Sequence, residues 1–181
     1  MSIIEAIVLG IVQGLTEFLP VSSSGHLVLL QKIFNIKEGA MSFDIALHLA
    51  TLIAVIAVYR KKIFEIIKNP FSKFPVYIVI GTVPIAVFGI LLKDLIESFF
   101  ETGATLGTGF IFTGLILMYA DIAGKKSRTI EQMNLADPLL IGTSQAVAML
   151  PAVSRSGMTI SAALALGIER RTAADFSFIL S

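Results

Sequence analysis

Apolar residues fill most of this chain in long runs, and the polar positions inside those runs are clustered rather than scattered. Residues 3–30 form one such run, broken at its middle by Gln13, Glu17, Pro20, Ser22, Ser23, Ser24, Gly25 and His26. A helix that crosses a bilayer needs about 20 mostly apolar residues. Each limb here is shorter, so the run predicts a re-entrant helical hairpin, which is tolerated at membrane depth only when buried in protein or lining a wet cavity. Gln13 and Glu17 stand four apart and share one helix face. Pro20 ends the first limb, and a serine N-cap opens the second, which runs through His26. Three spans follow at 43–59, 75–92 and 104–120, with Pro84 predicted to kink the second. Gly81, Gly89, Gly107, Gly109 and Gly114 read as points of close helix packing. Asp137 and Pro138 predict an N-cap with proline at the first helical position, opening a limb that reaches Met149. Pro151 breaks that limb, and residues 154–167 return. Residues 173–181 begin a further apolar helix that stops in mid-run, which reads as a truncated chain. The fold class is an all-α membrane protein with two re-entrant hairpins.

The second broken run repeats the first. Gly10, Gln13, Val21, Ser22, Ser24 and Gly25 recur 132 positions on as Gly142, Gln145, Val153, Ser154, Ser156 and Gly157. The copies differ in their chemistry: Arg155 stands where the first has Ser23, and an apolar residue stands where it has Glu17. Loop charge gives the orientation. Residues 60–73 hold five basic residues and one acid, whereas 93–101 hold one basic residue and three acids. Lys125, Lys126 and Arg128 lie in 124–137, and Arg170 and Arg171 precede the last helix. Basic loops stay in the cytoplasm, so residues 31–42 fall outside. The first hairpin then enters from the outer face and the second from the cytoplasm. Three intervening spans force this inversion, the plan of many transporters. Residues 1–134 are read as a first repeat, and 135–181 as the start of a second, inverted one.

Composition agrees with a membrane protein: 55% of the 181 residues are hydrophobic and 15% charged, with a mean hydropathy of +0.86. Soluble domains carry roughly a quarter charged residues. A net charge of +1 says nothing about nucleic acid and no basic block suggests it, while the lack of cysteine excludes disulfides and thiolate metal sites. The N-terminus lacks the basic region of a signal peptide. Tip to tip, the two breaks offer two helix N-termini, a guanidinium, hydroxyls, a carboxylate and an imidazole. Helix N-termini attract anions, and arginine matches phosphate bidentately. A phosphorylated or otherwise anionic ligand follows. A bare Glu17 would repel it, so Glu17 either holds a divalent cation on oxygen ligands or orients His26. Ser23 and His26, at i and i+3, supply a nucleophile and a base. A charge at a helix centre costs roughly 2.5–3.5 kcal/mol on insertion scales, which marks Glu17 and Arg155 as functional. Gln13 reads equally as interhelical glue. His48, four after Asp44, reads as one half of a satisfied pair near the outer interface.

Gln13-x-x-x-Glu17 followed by Phe-Leu-Pro-Val-Ser-Ser-Ser-Gly-His, with Pro151-Ala-Val-Ser-Arg-Ser-Gly-Met-Thr159 and the segment from Asp175, resembles the undecaprenyl-diphosphate phosphatase family of the bacitracin-resistance type. The resemblance runs over the whole chain. It implies a plasma-membrane hydrolase that takes the terminal phosphate from a polyprenyl diphosphate, recycling the carrier lipid for peptidoglycan and other cell-wall polymers. It implies a site open to the outer face and a Mg²⁺ or Ca²⁺ ion held at Glu17 and Gln13. Glu17, Ser23, His26 and Arg155 match its catalytic positions, and Ser22, Ser24, Ser154, Arg155, Ser156 and Thr159 its phosphate-binding ones. The family usually has glycine where this chain has Ala152, and its members continue for several more spans. A homodimer is carried as one option for assembly. The acid-phosphatase class needs a second histidine after its Ser-Arg motif, and none follows here. The rival from another class is a lipid-phosphate or anion transporter, and the third option is a scaffold without chemistry. Glu17 and His26 favour the enzyme, since an anion carrier gains nothing from a carboxylate beside its cargo.

Overall fold

The computed structural model describes residues 1–36, 39–123 and 127–181, and among these every regular element is helical. Lys125 and Lys126, counted above in a basic loop, lie outside the described residues, as do positions 37 and 38 of the outer connection. The chain runs α1 (Ile3–Thr16), α2 (Ser23–Ile33), α3 (Ala40–Lys68), α4 (Lys73–Leu91), α5 (Lys93–Thr102), α6 (Leu106–Ala123), a 3₁₀ turn (Ile130–Gln132), α7 (Ala136–Val147), α8 (Arg155–Ala165) and α9 (Arg170–Leu180). Two broken pairs are therefore present, α1 with α2 and α7 with α8. Helices α3 and α4 are each long and apolar enough to cross a membrane, and α5 with α6, bent by 106°, make a third if the pair is one span. Outward side chains such as Val79, Ile90, Ile111 and Ile122 are apolar and exposed, as lipid contact requires.

Several boundaries differ from the sequence expectation. The first span continues to Lys68, so most of the basic stretch after residue 59 is helix rather than loop. Residues 93–101 also form a helix, α5, with Leu95, Ile96, Phe99 and Phe100 on one side of its charges. Pro84 lies inside an unbroken α4. Asp137 and Pro138 sit in the first turn of α7 rather than at its cap, because the helix starts at Ala136. The Asp137 carboxylate still serves that end by accepting the Asn134 N–H at 2.7 Å. It also takes both guanidinium nitrogens of Arg128, at 3.2 and 2.7 Å. Arg128 further donates to the Leu166 and Gln132 carbonyls, so this basic residue ties the base of the second hairpin together.

The second hairpin packs tightly onto the middle of the chain. Helix α7 crosses α4 where two glycines meet: a methyl on Gly142 would lie 2.1 Å from the Gly81 carbonyl oxygen. Tyr77, Ile141, Leu164, Ile168, Phe176 and Leu180 form the main buried cluster there. Gly109 of α6 faces the Pro151 carbonyl, where an added methyl would come to 2.6 Å. Gly107 and Gly114, by contrast, meet nothing within 4 Å among the described residues, so no packing contact there rests on them. Helix α9 is pinned to α3 by Lys62 Nζ on Asp175 Oδ2 at 2.7 Å and by the Tyr59 hydroxyl on Asp175 Oδ1 at 3.3 Å.

The glycine crossing gives a direct test. Gly142→Leu places a side chain inside the α4 backbone, an overpacking that costs about 1–3 kcal/mol or more, and lowers the thermal midpoint of the purified protein. Gly107→Ala meets open space and leaves that midpoint within error; a loss equal to that of Gly142→Leu would refute the packing described.

Candidate active site

The two breaks meet. A methyl on Gly25 would come within 2.6 Å of Ala152 Cα, and one on Gly157 would lie 3.3 Å from the Pro20 carbonyl oxygen. The 132-residue offset that relates the repeats takes Gly25 to Gly157 and Pro20 to Ala152, so the two contacts are counterparts of each other. Each returning helix is capped in the same way. The Ser22 hydroxyl accepts the Gly25 N–H at 3.3 Å, and the Ser154 hydroxyl accepts the Gly157 N–H at 3.0 Å. Ser24 Oγ and Ser156 Oγ each lie 3.3 Å from their capping serine. The remaining first-turn N–H groups have no intrahelical acceptor. Thr113 of α6 splints the second break, donating to the Ala152 carbonyl at 3.0 Å and accepting the Ser154 N–H at 3.1 Å.

A cavity of about 390 Å³ opens where the breaks meet, lined by Ser22, Ser23, Ser24, Ser154, Arg155 and Ser156 on its polar side. Phe18, Ile45, Leu49, Leu52, Val55 and Phe178 make an apolar side. Glu17 stands at the junction, its side chain 19% exposed. Its Oε2 accepts the Gln13 amide at 3.0 Å and the Ser23 hydroxyl. Arg155 Nη2, from the other hairpin and 138 residues away, lies 3.5 Å from its Oε1. Gln13, Glu17, Ser23 and Arg155 thus converge, with Ser22, Ser24, Ser154 and Ser156 around them.

Two sequence-predicted residues are placed elsewhere. His26 makes no contact with Glu17 or Ser23: its Nδ1 faces the Ser22 carbonyl at 2.8 Å and its ring stands edge-on to Phe110. The imidazole beside Glu17 is that of His48, with Nε2 at 3.8 Å from Oε2. Thr159 is buried behind the cavity, where its hydroxyl meets the Arg155 and Ser156 carbonyls and the Ser177 hydroxyl; it joins α8 to α9 rather than lining the pocket. His48 and Thr51 were missed in sequence, although Asp44, His48 and Thr51 form an i, i+4, i+7 polar stripe on an otherwise apolar span.

The donor set suits one kind of metal. Among the described residues no three His, Asp or Glu side chains form a cage. Gln13 Oε1, however, is buried with no partner beside the Glu17 carboxylate. One carboxylate and one amide oxygen fit a Mg²⁺-like ion whose other ligands are waters and substrate phosphate oxygens.

The model of the bacitracin resistance protein BacA matches residues 6–181. The chain belongs to this family. It is 50% identical over all of its 181 residues to an undecaprenyl-diphosphatase of Carboxydothermus hydrogenoformans, of which it covers 69%. It is 46% identical to undecaprenyl-diphosphatase 4 of Bacillus thuringiensis and 44% identical to undecaprenyl-diphosphatase 1 of Pseudoalteromonas translucida, covering 70% and 72% of them. In this chain Ala152 adopts φ +66°, the left-handed region that costs a residue with a Cβ about 1–2 kcal/mol. Ala152→Gly therefore raises stability by about 0.5–1 kcal/mol once glycine's own entropy is counted. Ala152→Val, branched and wedged against Gly25 and Gly109, lowers it. Chemical or thermal unfolding of the two variants reads both signs, and a stabilised valine variant would contradict the backbone described.

Proposed function

We propose that this chain is an undecaprenyl-diphosphate phosphatase, hydrolysing the lipid diphosphate to the monophosphate and inorganic phosphate. One observation carries the reading: Glu17 of one hairpin and Arg155 of the other meet at the mouth of two helix N-termini, with an apolar wall alongside. The polar side suits a diphosphate, and the side built from α3, Phe18 and Phe178 suits a prenyl tail. A free phosphate would have no use for the latter. The names of the relatives point the same way, and the transporter reading is not favoured.

Arg155 and the N–H groups opening α2 and α8 hold the diphosphate. Ser23 Oγ attacks the terminal phosphorus while its proton passes to Glu17, to which it is already hydrogen-bonded. The bond from that phosphorus to the bridging oxygen breaks, and the prenyl monophosphate leaves with the proton. Water then attacks the phosphoserine, giving its proton to Glu17, and Ser23 Oγ departs and takes it back. When bound at Glu17 and Gln13, a divalent cation supplies positive charge to the phosphate oxygens. The excess of basic residues in 60–73 over 93–101 supports a site that opens to the outer face of the cell membrane.

Phosphate release from undecaprenyl diphosphate by the purified chain tests this, with Mg²⁺ or Ca²⁺ and then with a chelator. Glu17→Gln reduces turnover by at least about a hundredfold, while binding of a non-hydrolysable diphosphate analogue persists. Arg155→Lys keeps the charge but loses the planar fork, and it weakens both. Undiminished turnover in Glu17→Gln would remove Glu17 from the mechanism. Orientation is read separately. Single cysteines at Lys62 and Glu101, labelled in intact cells with an impermeant reagent, react at 101 only; the reverse pattern would put the site on the inner face.

A further inference from the structure

We propose that Thr113 is a positioning residue for hydrolysis, aiming Arg155 at the diphosphate by fixing the backbone of the second break; this rests on the phosphatase reading above. A threonine inside a helix commonly bonds back to its own backbone. Thr16, Thr82 and Thr143 do so here, each donating to the carbonyl four residues earlier. Thr113 of α6 does not. Its buried hydroxyl donates to the Ala152 carbonyl at 3.0 Å and accepts the Ser154 N–H at 3.1 Å. The single hydrogen of that hydroxyl and one of its lone pairs are thus both spent on the second hairpin.

The two bonds bracket the residues that aim Arg155. Ala152, held at one end, carries the left-handed φ of +66°, and Ser154, held at the other, is the N-cap of α8. Arg155 follows at once, so the backbone from which its guanidinium departs is set where Thr113 grips. Gly109 lies four residues before Thr113 on the same face of α6 and lets the helix come close, with room for no methyl beside the Pro151 carbonyl. The same helix reaches the first break. Phe110 stands edge-on to His26, and its Cζ would lie 2.9 Å from a methyl on Gly25. One helix therefore touches both breaks, and Arg155 Nη2 meets Glu17 Oε1 across them at 3.5 Å.

The test uses turnover of undecaprenyl diphosphate by the whole chain in bilayers, at a temperature where every variant is folded. Thr113→Val keeps the shape but loses the hydroxyl, and it lowers kcat/KM by about 10–100-fold, the scale of loss from misplacing a group by about 1 Å. Thr113→Ala is read in place of a valine variant that does not fold. Thr113→Ser keeps both bonds and restores most of the loss. Tyr77→Phe removes a buried bond to the Met133 carbonyl, away from the breaks, and it leaves turnover unchanged while lowering stability. In an Arg155→Lys background Thr113→Val costs less than a further twofold. Equal losses in both backgrounds, or a Tyr77→Phe loss matching that of Thr113→Val, would overturn the proposal. Should the wild-type chain release no phosphate, the phosphatase reading fails by itself, and the grip on the break is still read by amide hydrogen exchange. Thr113→Val then speeds exchange across residues 150–157 and Thr113→Ser does not; unchanged exchange in the valine variant overturns the proposal.

Discussion

A helix broken inside a bilayer must find new partners for the backbone groups it sets free, because lipid offers none. That requirement governs this molecule. The break after α1 and the break after α7 each release carbonyl and N–H groups at membrane depth, and neither hairpin can satisfy them alone. Serine caps take one N–H apiece, Thr113 takes a carbonyl and an N–H from the second break, and the two breaks meet beside a shared cavity. One side of that cavity is polar for that reason, before any chemistry is asked of it. A place where backbone N–H groups lack partners is also a place where an anion is welcome. Structural need and the proposed phosphate binding fall on the same groups.

Electrostatics sharpen the point. Arg155 alone would suit an anion-binding pocket; adding Glu17 opposite it makes a poorer trap and a better reaction site. The carboxylate is held by a hydroxyl, an amide and a guanidinium. Among the described residues the Gln13 oxygen beside this group has no partner.

Much of this arrangement was legible from the residues. Pro20 and Pro151 each sit mid-run beside Ser and Gly, and no straight span tolerates that combination, so both hairpins could be read directly. Glu17 and Arg155 stood out because an apolar run leaves charge nowhere to hide. What escaped had physical causes. The stretch 60–73 reads as loop on its charge, although Lys, Ile, Phe and Glu are compatible with helix and α3 continues beyond the apolar zone as far as Lys68. Residues 93–101 were read the same way, although their paired apolar positions mark an amphipathic helix. His26 is near Glu17 along the chain, yet the imidazole that lies beside Glu17 is that of His48, carried by another helix. Thr159 follows Arg155 by one turn, yet its hydroxyl turns inward to Ser177.

The reciprocal contacts at the two breaks carry a further implication. Gly25 abuts Ala152, and Gly157 abuts Pro20; each position's counterpart in one repeat is the neighbour of its counterpart in the other. A side chain enlarged at any of these four positions would press on the opposite break. The two copies differ in charge at Ser23 and Arg155, but the packing limits both at these positions at once.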